Sequence, residues 1–154
     1  NKFETKQTVF GDITQKSSDL KINKNFFISK AYKKNNKKII EELIFATKVV
    51  KHLKSNAIVL ASNKQTVGIG TGQTNRIDAL RIALKNYKQN FKEKRFVCIS
   101  DGFFPFTDSL KLLNRNKCKV VAQPSGSIRD LENIEYAVNN KMSLYFLKNR
   151  LFKH

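Results

Sequence analysis

The chain has 154 residues, 40% of them apolar, and a formal net charge of +18. This length predicts one domain with its own core, and the apolar fraction excludes a disordered chain. The longest apolar run covers five residues, 57–61, whereas a membrane-spanning helix needs about 20. No charged and apolar leader opens the sequence, so we expect a cytoplasmic protein without a secretory signal. Because the chain begins at Asn1 rather than Met, we expect it to be the tail of a longer polypeptide.

The basic residues are 24 lysines and 6 arginines, and the chain also has 16 asparagines. Recognition of nucleic acids favours arginine, whose planar fork donates two parallel hydrogen bonds. Aromatic residues do not alternate with the lysines, as they do in surfaces that stack bases. We therefore favour an anionic small molecule as the ligand, and a non-enzymatic nucleic-acid-binding module remains the alternative.

The two cysteines, Cys98 and Cys118, each lie in an apolar run that predicts a strand. Their spacing is not that of a metal site, so we predict no bound metal. We expect buried free thiols in a reducing compartment rather than a disulfide.

Residues 1–37 are polar with isolated apolar positions, which predicts an extended arm with one or two short strands. This arm leads into a domain at 38–154, after a solvated turn at 33–38. Apolar residues at helical spacing then predict a helix from Ile39 to about Lys54. The next apolar runs, on either side of a turn at 63–65, predict a β-hairpin.

Helices and strands alternate in the rest of the chain. Predicted helices lie at about 75–89, 110–113 and 134–138, and predicted strands at 96–99, 120–122 and 144–147. This alternation predicts a layered α/β fold with parallel strand pairs. In such sheets ligands bind outside the carboxyl ends of the strands.

The first candidate loop, residues 68–76, is the glycine loop and ends where a helix begins. Glycines let the backbone approach a ligand, and free N–H groups at a helix start favour an anion. Arg76 adds a positive charge there. The loop is neither a dinucleotide fingerprint, since Gln73 stands where the third glycine is needed, nor a P-loop. The alternative is a tight hairpin exit with a solvated arginine.

The second candidate loop, residues 100–108, is the phenylalanine loop and carries three phenylalanines around Pro105. Leaving such a side chain in water costs roughly 1.5–3 kcal/mol, so the rings either fill the core or wall a flat apolar ligand. Asp101 and Asp108 flank the rings, and Asp108 stands where a helix N-cap is expected.

The third candidate loop, residues 123–130, is the serine loop, where Ser127 and Asp130 are candidate ligand groups or helix caps. The tail, residues 149–154, follows the last strand and is placed to close over a site. His52 lies among lysines on a predicted helix, so we expect it near the surface.

The sequence has no zinc-deaminase motif and no convincing Ser–His–acid or Cys–His set. The residues therefore predict a site for an anionic, partly aromatic ligand, and they do not supply a complete set of catalytic residues.

Several long stretches resemble, in order, the carboxyl-terminal part of a known enzyme domain. They are VFGDITQKSSDLKI (9–22), KSNAIV (54–59), TVGIGTGQTNRIDALRIA (66–83), SDGFFPFTD (100–108), QPSGSIRD (123–130) and NRLFKH (149–154). The domain is the aminoimidazolecarboxamide ribonucleotide (AICAR) transformylase of the bifunctional purine-biosynthesis enzyme. The resemblance runs through nearly the whole chain.

This resemblance implies a three-layer α/β/α, cytidine-deaminase-like half of the transformylase domain. It implies transfer of a formyl group from 10-formyltetrahydrofolate to the 5-amino group of AICAR, and a homodimer when the enzyme is complete. It also implies a set of binding residues. For the nucleotide they are Asn56, Arg76 and Arg150, and for the folate they are Ile77, Phe103, Asp108, Ser127 and Ile128.

The sequence departs from the family pattern in several places. The family's catalytic Lys-His pair belongs to the first half of the domain, and Lys51-His52 lies in the wrong segment to be that pair. The IMP cyclohydrolase domain is also absent from this chain. Gly102 stands where the family usually has Ala, and Thr107 where a basic residue is common. A stand-alone structural half that binds a partner half is therefore a further alternative.

Overall fold

A computed structural model describes residues 3–16, 21–32, 36–91 and 95–152. In these ranges lie eight strands and four α-helices. The strands are β1 (Phe3–Thr8), β2 (Gly11–Lys16), β3 (Phe27–Ala31), β4 (Ile58–Ser62), β5 (Gln65–Gly70), β6 (Val97–Ser100), β7 (Val120–Pro124) and β8 (Ser143–Leu147). The helices are α1 (Lys37–Val50), α2 (Arg76–Asn90), α3 (Asp108–Arg115) and α4 (Asp130–Asn139), and a short 3-10 helix spans Lys24–Phe26.

Six of the strands form one mixed sheet in the order β3-β8-β7-β6-β4-β5. β6, β7 and β8 are parallel neighbours, whereas β4 is antiparallel to both β5 and β6. β3 is an edge strand antiparallel to β8. This confirms the predicted α/β class with parallel pairs.

Helices cover both faces of the sheet because the central strands are apolar on both sides. All five residues of β4 are buried, and successive side chains point to opposite faces. Val59 and Ala61 join the core under α1, whereas Ile58 and Leu60 join the core under α2, α3 and α4. The result is the expected three-layer α/β/α arrangement.

The amino-terminal segment differs from its prediction in detail. β1 and β2 form a separate two-stranded hairpin, and β3 joins the main sheet, so the segment holds three strands rather than one or two. The predicted turn at 33–38 is partly wrong, since Lys37 and Lys38 belong to α1, while 33–35 lie outside the described residues. The division into an arm (1–37) and a domain (38–154) stays a prediction.

α1 begins after Asn36, whose side-chain oxygen accepts a hydrogen bond from the backbone N–H of Lys38 at 2.9 Å. It ends at Val50, four residues before the predicted end at Lys54. The backbone N–H of Leu53 donates to the carbonyl of Val50 at 3.0 Å, which turns the chain away from the helix. His52 lies exposed in this turn, as expected.

Both cysteines are buried and free, which confirms that part of their prediction. Cys98 lies in β6, whereas Cys118 lies two residues before β7 rather than in a strand. Burial raises the pKa of both thiols, that of Cys118 to about 12. Among the helices of the described ranges, none is long and apolar enough to cross a membrane.

Candidate functional site

Four segments leave the sheet at one edge. The phenylalanine loop follows β6, the serine loop follows β7 and the tail follows β8, and these three strands are parallel. β4 is antiparallel to both β5 and β6, so the glycine loop leaves β5 at the same edge. The fold therefore brings all the predicted loops to the carboxyl ends of the strands, where α/β proteins bind ligands.

The glycines of the glycine loop have different roles. A side chain at Gly68 or Gly70 would collide with backbone atoms of Ala83 or Ala79, so these two glycines let α2 pack closely on β5. Packing is thus the role that the structure gives these two glycines, and the predicted approach of the loop to a ligand stays a prediction. Gly72 has a φ of +67°, a left-handed conformation that glycine adopts without strain.

α2 begins at Arg76 because Asn75 and Asp78 cap it reciprocally. The Asn75 side-chain oxygen accepts from the backbone N–H of Asp78 at 2.9 Å, and its amide donates to the Asp78 carboxylate at 2.6 Å. The hydrogen bonds from Asn75, and next from Arg81, lower the pKa of Asp78. Arg76 is thus fixed as the first helical residue, facing the phenylalanine loop.

Arg76 joins the glycine loop to the phenylalanine loop. Its Nη2 lies 3.0 Å from Oδ1 of Asp101, and its Nη1 donates to the carbonyl of Phe103 at 3.2 Å. The Arg76 side chain is 11% exposed and that of Asp101 is fully buried. This corrects the alternative of a solvated arginine.

Asn56 holds the other side of the glycine loop. Its backbone N–H donates to the carbonyl of Gln73 at 3.1 Å. Its side-chain amide donates to the same carbonyl at 2.9 Å and to that of Thr74 at 3.1 Å. The predicted nucleotide residue Asn56 therefore stabilises the loop that carries Arg76.

The three phenylalanines divide between core and surface. Phe104 is fully buried, while Phe103 is half-buried and Phe106 is 52% exposed. Buried amides hold the backbone of Phe104 on both sides: its N–H donates to Gln123 at 2.8 Å, and its carbonyl accepts from Asn133 at 3.0 Å. Phe104 therefore fills the core, whereas the other two rings lie at the surface, and their role as a wall for a ligand stays a prediction.

The start of α3 differs from the prediction by one residue. Thr107 occupies the cap position of α3 without a side-chain hydrogen bond, so the prediction that Asp108 caps this helix is wrong. Asp108 is the first residue of α3 and is exposed, and its Oδ1 accepts from the backbone N–H of Ser109 at 2.6 Å. A carboxylate in this first turn is favoured by the helix dipole.

The serine loop is stabilised by its own side chains. The Ser127 hydroxyl accepts from the backbone N–H of Arg129 at 3.1 Å, and the Asp130 carboxylate accepts from that of Gly126 at 2.8 Å. α4 begins at Asp130, so these side chains order the turn before the helix rather than cap it directly. Ile128 between them is fully exposed.

The described part of the tail, residues 149–152, closes onto the site. The backbone N–H of Leu151 donates to the carbonyl of Asp101 at 3.0 Å, and its side chain is buried. The Arg150 guanidinium lies 5.2 Å from the ring centre of Phe103 and 5.7 Å from that of Phe152. The Arg76 guanidinium lies over the same Phe152 ring at 5.9 Å, and such cation–π contacts hold both cations near the ring.

The structure thus connects Asn56, Arg76, Phe103 and Arg150 into one network. Ile77 follows Arg76 and packs partly buried against the core, and Asp108, Ser127 and Ile128 lie in the neighbouring loop segments already described. Two guanidinium groups beside accessible aromatic rings are suited to an anionic ligand with a flat group. In the described ranges, no three His, Cys, Asp or Glu side chains are grouped to hold a metal ion.

The sequence comparisons agree with the resemblance. A family model described as "AICARFT/IMPCHase bienzyme" matches residues 1–86. Three relatives carry the name "Bifunctional purine biosynthesis protein PurH". The Buchnera aphidicola protein is 43% identical over 152 residues, which cover 96% of the chain and 28% of the relative. The Fusobacterium nucleatum protein is 49% identical over 114 residues, which cover 74% of the chain and 23% of the relative. The Prochlorococcus marinus strain AS9601 protein is 39% identical over 154 residues, which cover 100% of the chain and 29% of the relative. The chain therefore spans less than a third of the length of these relatives.

Proposed function

The chain belongs to the AICARFT/IMPCHase bienzyme family, and on that premise we propose that it forms the second half of an AICAR formyltransferase in purine biosynthesis. The reaction moves a formyl group from 10-formyltetrahydrofolate to the 5-amino group of AICAR. This chain supplies binding loops for both substrates. Its partner is the other half of the same domain, and the complete enzyme is a homodimer.

The observation that carries this proposal is the pair of guanidinium groups, Arg76 and Arg150, on the Phe152 ring. A nucleotide monophosphate such as AICAR is strongly anionic, and charge-assisted hydrogen bonds from arginine to phosphate are among the strongest available. Two of the five guanidinium N–H groups of Arg76 are used by Asp101 and Phe103, which leaves others for a ligand. Asn56 contributes by holding the loop that carries Arg76.

The folate is assigned to the neighbouring surface. The half-buried ring of Phe103 offers a flat apolar face to a pterin. The exposed Asp108 carboxylate is an acceptor for the pterin amino group. Ile77, Ser127 and Ile128 complete the set, and the exposure of Ile128 leaves apolar surface available to a ligand.

The chemical step needs a proton acceptor that this surface does not contribute. The AICAR amine attacks the formyl carbon and loses a proton, while the C–N bond to the folate breaks and that nitrogen gains a proton. A general base must lie within hydrogen-bond reach of the amine. We assign this base to the Lys-His pair of the other half, so the present chain binds and orients the substrates.

The proposal is tested by titrating AICAR and, separately, its riboside without phosphate into the purified chain. We expect AICAR to bind and the riboside to bind at least about tenfold more weakly, because the arginines recognise the phosphate. Equal affinity for the two, or no binding of AICAR, would contradict the assignment of the nucleotide to this surface.

A further inference from the structure

We infer that Asp101 forms a seat for the Arg76 guanidinium and is its positioning residue. The inference deepens the proposed function, since it says how the nucleotide-binding arginine is oriented.

Asp101 is a rigidly held carboxylate. Its side chain is fully buried, and its Oδ1 lies 3.0 Å from Nη2 of Arg76. Its backbone N–H donates to the carbonyl of Ala57 at 3.1 Å, and its carbonyl accepts from Leu151 at 3.0 Å. The backbone of Asp101 is thus bonded on both sides, and its buried carboxylate is paired with Arg76. A carboxylate held in this way is costly to bury unless it is paired with a cation.

Two acceptors fix the plane of the guanidinium. Nη2 of Arg76 is bonded to Asp101, and Nη1 donates to the carbonyl of Phe103 at 3.2 Å. Nε of Arg76 is buried and has no hydrogen-bond partner in the described part of the chain. One hydrogen bond from Nη1 and one from Nη2 therefore orient the planar guanidinium, and its remaining N–H groups can donate to another acceptor.

Gly102 lies close to the Arg76 guanidinium and the Phe152 ring. A Cβ at this position would lie closer to Nη2 of Arg76 than any van der Waals contact allows, 2.8 Å from Cζ of Arg76 and 2.6 Å from Cε1 of Phe152. Gly102 does not have a positive φ, so the glycine is not needed for the backbone conformation, and its missing side chain is what leaves room for the guanidinium. A Cβ at 102 would therefore shift the end of the flexible Arg76 side chain or the Phe152 ring. Because the family usually has Ala at this position, such a shift is compatible with the nucleotide site.

A pre-oriented arginine loses less conformational freedom when a ligand binds, so the seat raises affinity. We expect Asp101→Asn to weaken AICAR binding by about tenfold or more, because the amide removes the charge that holds Arg76. Gly102→Ala keeps the Asp101 carboxylate and introduces the residue that is usual in the family, so we expect it to weaken AICAR binding much less than Asp101→Asn does. Glu41→Gln is the matched control, since it removes a carboxylate paired with Lys64 at 3.0 Å on the exposed face of α1.

The test combines calorimetric titration of AICAR with side-chain NMR of the arginine guanidinium groups, on the chain and its three variants. The seat predicts slow rotation of the Arg76 guanidinium in the parent, in Glu41→Gln and in Gly102→Ala, and faster rotation in Asp101→Asn. This NMR measurement needs no ligand, so it tests the seat even if AICAR fails to bind and the proposed function is lost. If Asp101→Asn does not fold, Asp101→Glu, which keeps the charge but displaces the carboxylate, replaces it in both measurements with the same expected direction.

Unchanged rotation of Arg76 in the folded Asp101 variant would overturn the inference. Tighter AICAR binding by Asp101→Asn would also overturn it, because Asp101 would then compete with the ligand rather than position the arginine.

Discussion

The Arg150 guanidinium lies 5.2 Å from the centre of the Phe103 ring, which joins the tail after β8 to the phenylalanine loop after β6. Arg150 is exposed, whereas Phe103 is half-buried, so the ring fixes a cation that would otherwise move freely in solvent. The same ring is assigned to the folate. One side chain thus orders the nucleotide-binding arginine and borders the folate surface.

The first prediction separates the ligand role of Phe103 from a core role. We expect Phe103→Ala to lower the free energy of unfolding far less than Phe104→Ala, the matched control, which removes a fully buried ring at a cost of about 3–5 kcal/mol. Denaturant unfolding measures both values. Equal losses in the two variants would place Phe103 in the core.

The second prediction concerns Asp108, which is exposed at the start of α3. Asp108→Asn keeps the shape of the side chain but removes its charge, and we expect weaker folate binding with an almost unchanged melting temperature. Titration of 10-formyltetrahydrofolate into the complete enzyme measures the affinity. Unchanged folate affinity would remove Asp108 from the folate site.

The third prediction follows from the buried pair of Arg76 and Asp101. Arg76→Ala leaves a buried carboxylate without its cation, so we expect the free energy of unfolding to fall by about 3–5 kcal/mol. Adding Asp101→Asn should restore part of that loss, because the unpaired charge is then gone. Arg81→Ala on the same helix breaks an exposed pair with Asp78 and should have little effect. Additive losses in the double variant would mean that the two residues are not coupled.

The fourth prediction is that both cysteines are chemically inert in the folded chain. Burial raises the pKa of the Cys98 and Cys118 thiols, so little thiolate is present at pH 8. We expect a thiol reagent to modify neither residue until denaturant is added. Glu135→Cys, at an exposed position on α4, is the positive control. Rapid labelling of two thiols in the native parent would contradict the buried placement.

Local patterns predicted most of the fold. The helical spacing over about 75–89 placed α2, and the apolar runs on either side of 63–65 placed the β4–β5 hairpin. The pairing of β3 with β8 joins distant parts of the chain, so no local pattern in the sequence places β3 in the main sheet. α1 was predicted too long because Leu53 continues the apolar spacing beyond the helix.

Motifs in the sequence indicated Arg76, Phe103 and Arg150, and the structure joins these residues in one network. Their assignment to a nucleotide and a folate stays a prediction. The roles of Asp101, Gly102 and Phe152 depend on contacts across loops: Arg76 precedes its partner Asp101 by 25 positions. One signal for Asp101 was present in the sequence: a charged residue that directly follows an apolar strand is buried only when it has a partner.

The fifth prediction is that the chain alone does not convert AICAR. The proton acceptor is assigned to the other half of the domain, so the purified chain should give no product when both substrates are saturating. A formyltransferase assay with the 154-residue chain measures this directly. Product formation by the isolated chain would place a base among its own residues.

The central claim, that this chain is the substrate-binding second half of an AICAR formyltransferase, is tested most directly by a chimaera. The chain replaces the matching segment of the Prochlorococcus marinus relative, with which it aligns over its full length. We predict formyl transfer to AICAR by this chimaera, and its loss when Arg150 is changed to Ala. A folded chimaera without formyl transfer, or with equal activity after Arg150→Ala, would contradict the claim.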